Sequence, residues 1–459
     1  MSRTACGFRH PCAVCSQAMK PYTTIRALLF VLPLLLATSL FGQSLSEPIT
    51  TAVARNDWKQ VETLVRKELK TNPGDVHRMT LLALSLAQQK RHPQALEQAK
   101  ATIAKHPTSY PPRMIAASSL MHLGRNSDAI LMFESARKIA PDSAEPAMAL
   151  GMLLATTGRC DDAITHLEDA LFRRPDNGSI IHQLTKCYLQ LGRIFEATDL
   201  ATRGAELEPN LAVAQLLAGE TLMAAMKSDQ AIPFLERAIA LGSANSAYLL
   251  QTAALQDRGR TQEALAVATE YAKRAPNDAM AWYNLGLLQI ESQQLDSSVK
   301  SLRRALAIKP NYSEAYYNLG RVYDVLGFSE DAIQAFRRCA TTSGAFAADS
   351  YHALALLYRK LGSFDEAMRA HGQAISINDS ADVYHAERLR TCVDAERCAD
   401  AAPFIDRDVT RFPENPNVLF QAARCYLRNN KREQVELILP VLERIDPALA
   451  GQLKTAMRM

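Results

Sequence analysis

Residues 158–192 read GRCDDAITHLEDALFRRPDNGSIIHQLTKCYLQLG, a stretch that opens and closes on glycines 34 residues apart. Between them stand Ala163, Ala170 and Pro175, and two cysteines, Cys160 and Cys187, separated by 27. The same offsets continue outward in both directions. Prolines fall at 73, 107, 141, 175 and 209, each 34 after the last, and again at 276, 310, 413 and 447. Ala95, Ala129, Ala163 and Ala197 keep the period, as do Gly124, Gly158 and Gly192. A fixed period of this length marks an array whose units bury their apolar faces on their neighbours, which overrides reading the 459 residues as separate globular domains.

The columns of the repeat predict two antiparallel helices per unit. With units starting near 76, 110, 144, 178, 212, 245, 279, 313, 348, 382 and 416, position 20 is Ala or Ser in ten units and Val435 in the last. A small side chain there lets paired helices approach, and position 8 answers with Ala83, Ala117, Gly151, Gly219, Gly286, Gly320 and Ala355. Large residues such as Leu154, Leu167, Leu184 and Tyr188 fill the space around that contact. Glycine at position 15 ends the first helix in the left-handed conformation, acids such as Asp161 and Asp162 favour the start of the second, and proline at position 32 stops it. The unit from 382 fits worst, with Arg388, Leu389 and Asp408 in slots that elsewhere hold Leu, a small residue and Ala.

The unit from Ala279 carries Trp282, Leu285, Gly286, Ala305 and Pro310; the next carries Tyr316, Leu319, Gly320, Tyr323, Ala332 and Phe336. In this order the residues resemble the tetratricopeptide repeat pattern W-x2-L-G-x2-Y, A-x3-F and P. The resemblance implies an all-α, right-handed superhelical solenoid of about twelve helix-turn-helix repeats: a degenerate one at 45–75, eleven in tandem at 76–449, and a short capping helix at 450–459. It further implies a non-catalytic scaffold that binds a protein or peptide partner along a concave groove lined by positions 2, 5, 6, 9, 12 and 13 of each first helix. Carried onto these positions, the groove holds Met114, Met121, Met148, Met152 and Met223, then Tyr283, Asn284, Tyr317, Asn318, Arg321, Arg390 and Arg424. Up to residue 278 the groove positions hold only Glu145, Lys186, Glu220 and Asp257 as charges, so an adaptable, methionine-rich half is expected before a charged one. A plainer reading makes the methionines helix-interface packing, and pairs the arginines with Asp324, Glu387 and Asp394. The Lys and Asn arrangement by which some family members clamp a terminal carboxylate is not reproduced.

Residues 1–42 hold Arg3, Arg9, Lys20 and Arg26 and no acid, which leaves the rest of the chain with 48 basic and 48 acidic residues. A neutral body argues against affinity built on phosphate neutralisation, so no nucleic-acid partner is expected. From Met19, two cations, the apolar run Ala27 to Ala37 and a small-residue segment read as a signal peptide at 19–44, cleaved between about Ser39 and Ser44. Residues 1–18 then form a non-native or disordered extension, whose Cys12 and Cys15 have no second pair to make a zinc or redox site. The expectation is export to a periplasm or cell envelope without stable membrane insertion; eleven apolar residues are few for an uncleaved anchor, which needs ~20.

No zinc-binding H-E-x-x-H, phosphate-binding loop or nucleophile elbow occurs, so neither catalysis nor a cofactor or metal is expected. Two further roles stay open: a structural component of an envelope assembly that acts through its edges, and the regulatory arm of a separately encoded enzyme. Cys160 and Cys187 occupy positions 17 and 10 of successive units, and Cys398 and Cys425 repeat the arrangement. In a two-helix repeat these slots are neighbours across a unit boundary, and export favours oxidation, so two bridges are predicted, Cys160 to Cys187 and Cys398 to Cys425. Cys392 with Cys398 is a local competitor.

Overall fold

A computed structural model describes residues 45–342 and 344–458. The signal-peptide reading, the extension before it, Cys12 and Cys15 lie outside these residues. Twenty-five α-helices and a 3-10 turn follow one another, with no strand among the described residues. The described residues divide into two compact units, one ending at Arg258 and one starting at Gly259.

Within each unit the helices pair in sequence order, and the pairing follows from the repeat columns. Every residue at position 20, from Ala95 through Ser298 to Val435, has no exposed surface. The glycines at position 8 have a more specific partner than the sequence suggested. A methyl group at Gly151 would stand 2.7 Å from Leu167 Cγ, one at Gly219 would overlap Leu235 Cδ2, and one at Gly320 would stand 2.8 Å from Phe336. Those partners all occupy position 24, so the large residue of the second helix seats in the gap that the first helix leaves. Burying a leucine this way contributes about 2 kcal/mol by apolar area alone.

Position 15 is left-handed whether or not it is glycine. Gly158 (φ 81) and Gly327 (φ 81) adopt this conformation, and so do Lys90 (φ 63), Met226 (φ 59), Gln293 (φ 60), Glu396 (φ 59) and Asn430 (φ 56). The turn is held by backbone bonds such as Arg91 N to Leu86 O, 3.0 Å, and Lys227 N to Leu222 O, 2.8 Å. These satisfy the last helical carbonyls, and that requirement outweighs the local preference of the side chain.

The unit from 382 departs most. Its second helix is split into a 3-10 turn, Cys398–Ala401, and a short helix, Ile405–Arg411. Pro403 between them lacks an N–H and clashes with a helical turn before it. The ill-fitting residues pair with each other: Arg388 Nη2 donates to both oxygens of Asp408, at 3.0 and 2.7 Å, and His385 Nδ1 lies 2.9 Å from Asp408 Oδ1. All three side chains are buried, and the Arg388 guanidinium stacks 3.7 Å from the Phe404 ring centre. The final helix begins at Pro447, not at 450. Pro447 stops one helix and starts the next, because a first-turn residue needs no hydrogen-bond donor, and the Asp446 carboxylate accepts from Ala448 N at 3.1 Å and Leu449 N at 3.0 Å.

Candidate functional site

In the first unit, the helix Ala144–Thr156 has the sequence AEPAMALGMLLAT, apolar on every side and buried almost all round. Here the expected groove is closed. Met114 is 0% exposed, Met148 4% and Met152 5%, and all three belong to one core with Leu84, Ala117, Leu150 and Phe133. Their assignment to a partner-binding surface is therefore corrected: they are packing residues. Ala116, Ala117, Ala147 and Ala149 are buried in the same core, and the flexible methionines fill volume that these small side chains leave. Met121 and Met223, nearer the helix ends, stay half-buried.

Further along the first unit the inner positions hold His182, Lys186 and Glu220, all half-buried. Burial, with the Lys186 charge beside it, holds His182 down to about 4. Burial draws Lys186 below its usual value against the pull of Glu220, and raises Glu220 against the pull of Lys186.

The second unit keeps part of its inner face exposed, and aromatic side chains line it. The Tyr283 ring lies 4.8 Å from that of Tyr312, and Tyr317 lies 5.1 Å from Phe346. Asn318 Nδ2 donates to the Tyr283 hydroxyl at 3.2 Å and to the Glu314 carbonyl at 2.9 Å. Burial, with Glu314 near it, pushes the Tyr283 hydroxyl up to about 12, which keeps it a neutral hydrogen-bonding group. Asn284, one repeat earlier than Asn318, is half-buried. Arg321 is exposed, with its guanidinium 6.0 Å from the Tyr317 ring centre, and it has no ion-pair partner among the described residues. Asp324, one of the carboxylates considered for the arginines, instead receives Lys360 Nζ at 3.1 Å.

Arg390 and Arg424 do not join this cluster. Arg390 lies 3.5 Å from Glu387 and 3.8 Å from Asp394, and Arg424 donates to Gln421 at 3.1 Å. Sequence reasoning missed the role of Tyr312, which sits outside the inner columns yet supports Tyr283. It occupies position 34, in the turn between repeats, where no column of the repeat flagged it.

Both cysteine pairs are brought together. Cys160 and Cys187 have Cα atoms 5.0 Å apart and their sulfurs in bridging contact. Cys398 and Cys425 stand as two buried thiols with sulfurs 2.8 Å apart, so the second expected bridge is not formed in this structure. Cys160 opens an α-helix, whereas Cys398 sits in the 3-10 turn that Pro403 imposes. The hydrogen bond from the Cys425 thiol lowers Cys398. Cys392 faces Met368 at 3.7 Å and is not the partner of Cys398. Among the described residues no group of three or more His, Cys, Asp or Glu side chains could hold a metal ion, and no helix is long and apolar enough to cross a membrane.

Paired helices at a 34-residue period, with small residues at the crossing, define an all-α repeat solenoid. Three family models, each described as tetratricopeptide repeat, together match residues 115–220 and 249–378, more than half of the chain. The chain belongs to the tetratricopeptide repeat family, whose fold is that of a protein-interaction scaffold. Over 127 residues it is 31% identical to a BBSome complex member BBS4 homolog of Drosophila melanogaster, a match covering 27% of this chain and 26% of that protein. The chain thus spans about a quarter of that relative's length. It is also similar to the solved structure of a tetratricopeptide repeat protein from Parabacteroides merdae, with 17% identity, 54% of this chain and 99% of that chain covered, and a TM-score of 0.38. Another similar structure is YrrB, described as having an unusual peptide-binding site, with 19% identity, coverage of 42% and 97%, and a TM-score of 0.37.

Proposed function

We propose that this chain is an exported, non-catalytic scaffold of a periplasm or cell envelope that binds an extended peptide segment on the inner face of its second unit. The carrying observation is the exposed Arg321, with no ion-pair partner among the described residues, on the same face as Tyr283, whose hydroxyl is held by the buried Asn318. A fixed hydroxyl suits a peptide backbone, and a free guanidinium suits a carboxylate. Arginine and tyrosine are also the residue types enriched where binding energy concentrates. The apolar segment within residues 19–44 supports export, and an oxidising compartment would close both cysteine pairs.

Selection from a displayed random-peptide library on the full chain tests the binding face. Enriched peptides should lose about tenfold or more in affinity with Arg321→Glu or Arg321→Ala while melting stays nearly unchanged. Peptides that bind these variants as well as the parent would place recognition elsewhere. N-terminal sequencing of the secreted protein tests export, with a mature start between residues 40 and 45 as the expected result.

A further inference from the structure

The second unit carries a second feature, which lies away from the inner face. Two arginine pairs, Arg303-Arg304 and Arg337-Arg338, stand 34 residues apart and so occupy the same slots on successive second helices, Leu295–Ile308 and Ser329–Thr341. Between these helices lies an open cleft of about 760 Å³. Its floor is formed by Tyr316, Leu319 and Tyr323, a stripe of the helix Ser313–Leu326 distinct from the one carrying Tyr317 and Arg321. Tyr316, Arg338 and Thr341 also line an adjoining depression of about 610 Å³, so the cleft continues past Arg338 towards Asn311.

The arginines of this cleft differ from many in the same unit, where exposed arginines are paired, as Arg369 with Glu366 at 3.0 Å, Arg411 with Asp379 at 2.9 Å and Arg444 with Glu414 at 2.7 Å. Arg337 donates to the Tyr358 hydroxyl at 2.6 Å. Arg303 and Arg338 are exposed and have no side-chain partner among the described residues. Two unpaired guanidinium groups thus flank an aromatic floor. We propose that this cleft docks an acidic, extended segment of a partner protein, with carboxylates meeting Arg303 and Arg338 and an apolar side chain between them resting on Tyr316 and Tyr323.

Charge selects this occupant. Residues 1–42 of the chain itself carry four cations and no acid, so they are repelled. A nucleic-acid backbone would bring unbroken negative charge past Asp331, which lies on the cleft wall, while the body of the chain offers no net positive field. A peptide can place its acids opposite the arginines and a neutral residue opposite Asp331.

The probe is a fluorescein-labelled peptide, Glu-Glu-Leu-Glu-Asp-Phe-Glu-Glu, titrated against the full chain by fluorescence anisotropy at low and high salt. Saturable binding is expected at low salt, weakened about tenfold or more by Arg303→Glu with Arg338→Glu and by added salt. Arg321→Glu on the inner face should leave it unchanged, and a peptide with every acid replaced by glutamine should not bind. Arg303→Gln with Arg338→Gln serves as a second variant should charge reversal disturb folding, with thermal melting as the control. Binding that survives both double variants, no binding to the parent protein, or tighter binding of an oligothymidylate of equal charge would each overturn the proposal. Loss with Arg321→Glu but not with the double variants would instead assign the peptide to the inner face.

Discussion

The two units use one repeat pattern and present different inner faces. In the first, PPRMIAASSLMH and AEPAMALGMLLAT leave Met114, Met148 and Met152 sealed in one core with small neighbours such as Ala117 and Ala149. In the second, SEAYYNLGRVYDVL interposes Tyr317 and leaves Arg321 in solvent. The difference goes with the side chains present: alanine and methionine where the groove is buried, tyrosine and arginine where part of it stays exposed. The same methionines that read as an adaptable binding surface are therefore part of the first unit's core.

The largest expected effect tests this contrast directly. Met148→Glu with Met152→Glu places two carboxylates in a sealed core and should destabilise the first unit by more than about 4 kcal/mol. Arg321→Glu in the second unit should change stability by under about 0.5 kcal/mol. Circular dichroism and urea melts check both. A methionine variant that keeps its helicity and midpoint would show that the first unit's groove is open after all.

Next in size is the polar core of the second unit. Asp408→Ala removes the carboxylate that pairs Arg388 and His385 and should cost roughly 3–5 kcal/mol, because a buried guanidinium is left without its partner. Loss of well under 1 kcal/mol would show that water replaces the carboxylate and that the site is less sealed than its burial implies.

The cysteine pairs distinguish the units by a comparable amount. A bridge closing 27 residues is worth about 3.5 kcal/mol in the chain-entropy model. Cys160→Ser should lower the first unit's stability by up to that amount under oxidising conditions. In the second unit, oxidant should raise the melting midpoint of the parent protein but not of Cys425→Ser. Peptide mapping without reduction checks the connectivity, and six alkylatable thiols among Cys160, Cys187, Cys339, Cys392, Cys398 and Cys425 would refute both bridges.

Acid should weaken the second unit through His371. Burial, with the charges of His352 and Arg359 near it, holds His371 well below its usual value, while its Nε2 lies 3.1 Å from Thr391 Oγ1. The unfolded chain therefore binds the proton more readily than the folded one. The contribution is fully present above about pH 6.5 and is lost as pH falls from there towards the lowered folded value. His371→Gln should flatten that part of the profile of melting midpoint against pH, and an unchanged slope would assign it to other groups. His182 in the first unit, at about 4, has the same sign, so His182→Gln serves as the matched control.

The smallest effect concerns helix ends. Met226→Gly in the first unit and Gln293→Gly in the second should each stabilise by about 1 kcal/mol, since both side chains sit at positive φ. Thermal melting resolves this, and destabilisation would show that the side chains contribute packing which exceeds the backbone strain.

The sequence by itself determined the repeat, the pairing of helices and the adjacency of both cysteine pairs. Each of these is a matter of period: offsets of 34 place like residues in like environments, and position 17 of one unit beside position 10 of the next. It also showed, in AEPAMALGMLLAT, a helix without a polar face, a signal that this groove segment was core. What only the tertiary structure decided is how side chains from neighbouring helices pack, which depends on every side chain at the contact together. From it follow the burial of Met148, the exposure of Arg321, the seating of Leu167 against Gly151, and the mutual rescue of Arg388 and Asp408, two misfit residues 20 apart whose charges had no meaning until the fold put them in contact.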